Sequence, residues 1–314
     1  MAIGILYTLV AGLLWGLVFI GPLLLPEYPA ALQAVARYLA FGVIALPLAW
    51  IDRTALRRLD RADWIDAFKL SAIGNFLYYV CLASAIQRAG APLPTVIIGA
   101  LPVAIALGAN WRNGAHDGRL PWSRLLPSLL LIALGIACVN AVELASLRDA
   151  GGDTGRYASG ALLAFVSTAA WTWYALRNSD WLAAHRQHGP GTWATAQGLV
   201  TLPMAMVGYA AFWVWTHASG SGFPMPLGPR PLAFAGLMIA IGLFASWLGT
   251  LCWNLASQRL PTSLVGQLIV FETLAALGYA YARQGAWPSS TTLAGVGLLI
   301  GGVAWAVRAK ATHG

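Results

Sequence analysis

The sequence predicts an all-α integral membrane protein, with ten transmembrane helices arranged as two inverted five-helix repeats. Three observations carry this. Apolar residues make up 59% of the 314 and charged residues only 10%, against roughly 25% charged in a soluble protein. Ten apolar stretches can each cross a bilayer, which takes about 20 residues apiece. The two halves of the chain also repeat one another at nearly constant offsets. Ten spans use about 200 positions, which leaves short loops and no soluble domain of ordinary size.

The spans fall near residues 3–21, 30–50, 65–87, 91–109, 124–142, 158–177, 192–215, 232–256, 260–281 and 290–308. The first runs apolar from Ile3 to Gly21 with no basic segment before it, so it reads as a span and not as a cleaved signal. The second ends at the basic run Arg53, Arg57, Arg58 and Arg61. The third and fourth are divided by little more than Arg88–Gly90. The fifth begins at Arg124 and the sixth lies between Arg156 and Arg177. The seventh is bounded by Trp193 and Trp215, and the eighth follows Arg230. The ninth is reached through the short Gln258–Leu260 link, and the tenth closes at Arg308.

Basic residues set the orientation. Even-numbered loops and the C-terminus carry twelve: Arg53, Arg57, Arg58, Arg61, Arg112, Arg119, Arg124, Arg177, Arg186, Arg259, Arg308 and Lys310. Odd-numbered loops carry five: Arg88, Arg148, Arg156, Arg230 and Arg283. Cytoplasmic loops are the basic ones, so both termini are expected in the cytoplasm of a multi-pass protein of the bacterial inner membrane. The same asymmetry accounts for the net charge of +8 without nucleic acid as a partner. Trp50, Trp64, Trp111, Trp122, Trp181, Trp193, Trp213, Trp215, Trp287 and Trp305 lie near span ends, as an interfacial belt would. Cys81, Cys138 and Cys252 sit in apolar segments and imply neither a disulfide framework nor a metal site.

At an offset of 156, Gly4 and Trp15 fall on Gly160 and Trp171, and Gly42, Leu46 and Pro47 fall on Gly198, Leu202 and Pro203. At 171, Cys81, Ala85, Gln87 and Arg88 fall on Cys252, Ala256, Gln258 and Arg259. At 167, Leu93-Pro94-Thr95 and Gly99 match Leu260-Pro261-Thr262 and Gly266. The repeats are expected at 1–145 and 156–310 of one membrane domain. Five spans per repeat is an odd number, so the second repeat is inverted and a site is expected near the midplane.

The chain resembles the drug/metabolite transporter superfamily, of the ten-helix type with two EamA-like repeats. The residues that carry the likeness are Gly12-Leu-Leu-Trp15-Gly16, Ala36-Arg37-Tyr38, the stretch from Ala83 through Pro102, and Phe271-Glu272. Thr273 follows where that family often has proline, and Tyr281 to Gln284 replace its usual Leu-Gly-Glu. More narrowly the chain is similar to the YddG-type aromatic amino acid exporters. The resemblance implies a cavity lined by helices 1, 3, 4, 6, 8 and 9, with 5 and 10 peripheral.

Polar residues inside spans face protein or water, because hydrocarbon penalises them. Span three carries Ser71, Asn75, Tyr78 and Tyr79, and span eight carries Ser246, Thr250 and Asn254; each set reads as one helical face. Holding helices together is the competing role for any one of them. The candidate substrate-binding residues are Trp15, Asn75, Tyr78, Tyr79, Trp171, Thr250 and Asn254, with Trp15 and Trp171 as lids on either side of a midplane site. Trp173, Trp247 and Trp253 are assigned to packing. Glu272 is the one acid well inside a span, and Arg37 is its candidate partner; together they form either a coupling site or a structural charge. Gly12-x-x-x-Gly16 and Gly297-x-x-x-Gly301 are expected at close helix contacts.

The expected function is a secondary transporter that exports aromatic and other apolar amino acids, or similar small metabolites, by alternating access. The alternative is a proton-coupled multidrug exporter, which would need Glu272. An enzyme is not expected, since His116, His185, His188, His217 and His313 lie in loops or the tail and no metal-ligand spacing is present. No cofactor is expected, and the partners are a small-molecule substrate and the lipid bilayer, with the chain as a monomer.

Overall fold

A computed structural model describes residues 1–19, 24–25, 27–89, 94, 97–112, 122–139, 154–285 and 287–308. Among these residues the regular structure is entirely helical. We number the spans α1 (Ala2–Gly16, followed by a 3-10 turn Leu17–Phe19), α2 (Ala30–Ile51), α3 (residues 61–89), α4 (Leu101–Trp111) and α5 (Trp122–Val139). The second set is α6 (Thr154–Ala184), α7 (Pro190–Ala218), α8 (Pro231–Ser257), α9 (Thr262–Leu268 and Val270–Gln284) and α10 (Ser290–Arg308). Each coincides with an expected span. The basic loop residues Arg119, Arg148 and Lys310, the histidines His116 and His313, and the start of span four through Leu93 fall outside the described residues.

Local signals account for the boundaries. Asp60 and Asp63 form a reciprocal cap on α3: the Asp63 N–H donates to Asp60 Oδ1 at 2.9 Å and the Asp60 N–H to Asp63 Oδ2 at 3.0 Å. α7 and α8 open with Pro190 and Pro231, where a missing N–H costs no helical bond. α6 runs seven residues past its expected end at 177, because its last turns pack on α7 and remain buried at Asn178, Ser179, Trp181 and Leu182.

The pairing of helices is preserved when each helix is exchanged with the one five places on. α1 packs on α8 as α6 does on α3, α1 on α9 as α6 on α4, and α2 on α8 as α7 on α3. The pairs α2·α7, α4·α9 and α5·α10 map onto themselves. In α2·α7 a Cβ on Gly42 would meet Leu202 Cβ at 2.6 Å, and one on its counterpart Gly198 would meet Ala45 Cβ at 2.8 Å. α5 and α10 lie mainly against each other, outside the central helices.

One feature had no sequence signal. Ser71–Leu77 in α3 and Gly242–Leu248 in α8 are π-helical. They are offset by 171 residues at both ends, the same offset that aligns Cys81 with Cys252. A π turn adds a residue to the turn, and such turns concentrate at functional sites.

Candidate functional site

The π segments correct the expectation of one polar stripe on α3. The added residue turns the helix, so Ser71, Tyr78 and Tyr79 meet three different helices. Ser71 is fully buried and donates to the Gln197 carbonyl of α7 at 3.3 Å. The Asn75 backbone carbonyl accepts from the Tyr38 hydroxyl of α2 at 3.5 Å. Tyr78 packs on Trp171 of α6, with ring centroids 6.5 Å apart. Tyr79 lines a cleft toward α2.

The centre of the bundle is filled by rings. Trp15 meets Trp171 edge to face at 5.6 Å, and both meet Trp253, at 5.3 and 5.7 Å. The expectation of Trp15 and Trp171 as lids on opposite sides of a space is therefore corrected, because the two indoles touch. Trp253 joins them as the third member of the cluster. Trp15 is held by the π segment of α8: its Nε1–H donates to the Ala245 carbonyl at 2.9 Å. The indole fits there because residue 249 is glycine, whose Cβ would lie 2.7 Å from Trp15 Nε1.

Two half-buried charges lie within the spans, Arg37 on α2 and Glu272 on α9. Arg37 donates from Nη2 to the Tyr38 hydroxyl at 2.6 Å, and its guanidinium lies 4.4 Å from the Tyr38 ring centroid and 5.9 Å from that of Tyr79. Glu272 lies in the first turn of the second segment of α9, after a one-residue break at Ile269. A helix N-terminus favours a carboxylate, and interrupted helices mark midplane sites in carriers.

A cleft of about 90 Å³ opens between α2 and α3, lined by Ala31, Ala34, Val35, Tyr38, Phe76 and Tyr79, among others. It lies in the half of the bundle away from the chain termini. Its counterpart by the repeat, between α7 and α8 in the half near the termini, is closed. There Leu251 lies 3.7 Å from a Cβ on Gly191, the Asn254 amide donates to the Pro190 carbonyl at 3.3 Å, and Trp247 Nε1–H donates to Thr195 at 3.2 Å.

Behind that closure is a buried polar network. Tyr174 donates to Gln197 Oε1 at 3.0 Å. Gln197 and Trp193 donate to Asn178 Oδ1 at 3.0 and 2.8 Å, and Asn178 donates to Asn254 Oδ1 at 2.9 Å. Asn254 is thus fully buried with both amide groups engaged, and holds helices together in this conformation. By contrast, the side chains of Asn75 and Thr250 make no hydrogen bond among the described residues, and both are half-buried. The network continues to Asp63, which accepts from Trp181 Nε1–H at 2.9 Å. Trp181 stacks on Trp193 at 3.5 Å and on His185 at 4.6 Å. Trp181 and Trp193 are buried, so these two leave the expected belt; Trp50, Trp111, Trp215 and Trp287 remain exposed in it.

At the opposite face, Arg230 ties the connection after α1 to the start of α8. It bonds Glu27 through Nε at 2.5 Å and the Leu24 carbonyl through Nη2 at 2.8 Å. The hydrogen bond from Arg230 holds the Glu27 carboxyl below its ordinary range.

Sequence reasoning missed Asn178, Gln197 and Asp63. Gln197 lies deep in an apolar span and could have been found by the rule that singled out Asn75. Asn178 sat one residue outside the expected sixth span, and Asp63 just before the third.

The profile of the EamA-like transporter family matches residues 2–141. The chain is 53% identical over 308 residues to the Inner membrane protein YtfF of Escherichia coli (strain K12), across 98% of this chain and 95% of that protein. It also matches a solved crystal structure with a TM-score of 0.76 at 17% identity, over 98% of this chain and 97% of that one. At that identity the likeness concerns the fold.

Proposed function

Because this chain belongs to the EamA-like transporter family of the drug/metabolite transporter superfamily, we propose that it exports aromatic and other apolar amino acids across the inner membrane. The observation that supports the reading is the aromatic surface of Trp15, Trp171 and Tyr78, set where α1, α3, α6 and α8 meet; Asn75 on α3 and Thr250 on α8 keep half-buried side chains that make no hydrogen bond among the described residues. Rings offer stacking to an aromatic side chain, worth about 0.5–1.5 kcal/mol beyond area burial. The carrier works as a monomer by alternating access between repeats 1–145 and 156–310, with both termini in the cytoplasm. In that orientation the open cleft between α2 and α3 faces the periplasm.

Counterflow into liposomes against a panel of amino acids, sugars and cationic dyes tests the reading. Phenylalanine and tryptophan are expected to exchange fastest. Tyr78→Ala is expected to slow their exchange by roughly 2- to 13-fold while sparing a small aliphatic amino acid. Movement of cationic dyes without any amino acid would replace this reading with the multidrug one.

A further inference from the structure

The cleft between α2 and α3 is lined almost wholly by apolar groups, and Ser84 supplies its one hydroxyl besides those of Tyr38 and Tyr79. It runs from Ala31, in the first turn of α2, to Tyr38, seven residues or about 10 Å deeper. That depth lies within one leaflet of a hydrocarbon core about 30 Å thick. Val80 on its α3 wall is 58% exposed, and Leu77, three residues earlier, is 42% exposed. Apolar side chains left exposed along a spanning helix meet lipid tails, so the cleft opens sideways to the bilayer. One turn beyond Ser84, on the same side of α3 and close to its end, is Arg88. Arg88 is exposed and makes no hydrogen bond or ion pair among the described residues.

The shut counterpart of this cleft differs at both places. The repeat offsets place Val35 on Gly191 and Val80 on Leu251, the pair that closes α7 against α8. They place Arg88 on Arg259, whose Nη1 donates to the Leu255 carbonyl at 2.8 Å and whose guanidinium lies 5.3 Å from the Tyr7 ring centroid. Where the cleft is shut, the arginine at its end is committed to protein. Where it is open, the arginine is free.

An apolar slot at leaflet depth with an unengaged cation at its outer end matches a molecule with a long apolar chain and an anionic head. We propose that the cleft between α2 and α3 binds a phospholipid, with one acyl chain between Val35 and Val80 and the phosphate on Arg88. The planar guanidinium suits phosphate because its fork of N–H groups meets two oxygens at once. Ser84 lies between chain and head, where a hydroxyl can donate to an ester oxygen. In the orientation proposed above, this lipid belongs to the periplasmic leaflet. It enters from the bilayer and not from the aromatic centre, so the site stands apart from that of the transported solute.

Photolabelling of the full-length protein in liposomes tests this, with adducts mapped by mass spectrometry of its peptides. The probes are phosphatidylglycerol and diacylglycerol that carry the same diazirine-bearing chain. Phosphatidylglycerol is expected to label residues 31–38 and 76–84 about fivefold more than diacylglycerol does, the worth of one arginine near an anionic head group. Arg88→Gln is expected to bring the two lipids level there. Ala31→Phe and Ser84→Phe each put a ring into the slot, and are expected to remove labelling from it while α5 and α10 stay labelled as before. Adducts spread evenly over all lipid-facing helices overturn the proposal, as does an Arg88→Gln variant that labels like the wild type. Labelling that phenylalanine displaces, equal for the two lipids, assigns the slot to substrate and also overturns it. Where a ring-bearing variant elutes as aggregate, the comparison of the two lipids in the wild type and in Arg88→Gln decides, since the Arg88 side chain is exposed.

Discussion

A buried amide and a half-buried one do different work in this protein, although the sequence presents both as polar residues in apolar spans. Asn178 accepts from Trp193 and Gln197 and donates to Asn254. Removing it leaves three buried groups without that partner, each costing about 1–3 kcal/mol. Asn178→Ala is therefore expected to lower the thermal midpoint in detergent markedly, and Asn75→Ala to leave it nearly unchanged while altering transport. Equal shifts in a melting experiment would sink this division between scaffold and site. Residue types alone could not draw it. Trp15, Trp171, Tyr78, Arg37 and Glu272 were legible because rings and charges are conspicuous in such a composition. Whether Asn254 is free or engaged depends on Pro190, 64 residues away in sequence, and becomes legible only when α7 and α8 are brought together.

At the scale of helices, span positions were readable from hydropathy, while the faces they present were not. Periodicity assumes a constant turn, and the π segments change it inside α3 and α8. Small-residue motifs show the same limit. A Cβ on Gly12 would lie 2.9 Å from Phe271 Cβ, and one on Gly16 would lie 2.7 Å from Ala275 Cβ, so this pair does bring α1 against α9. Gly297 and Gly301 have nothing within 4 Å, which corrects their expected role. The close contact of α10 is made instead by Gly295 and Gly302, on another face of the helix, against α5. Gly12→Val is expected to cost about 1–3 kcal/mol or more through overpacking, and Gly301→Val to cost little. Size-exclusion profiles of the two variants, expressed in parallel, check this; equally monodisperse peaks and equal melting midpoints would refute it.

For the whole molecule, the helix pairings are symmetric and the openings are not. The cleft between α2 and α3 is open, and its counterpart between α7 and α8 is shut at Gly191 and Leu251. A carrier that alternates must exchange these two states. In a background where Cys81, Cys138 and Cys252 are replaced, cysteines at 191 and 251 joined by a cross-linker are expected to abolish exchange, with activity returning when a cleavable linker is cut. Full exchange while cross-linked would show that this closure does not move. The two π segments fall at the same position of α3 and α8, 171 residues apart, so the place where helical periodicity breaks is itself repeated, and any face read at constant turn is misjudged beyond it in both halves alike.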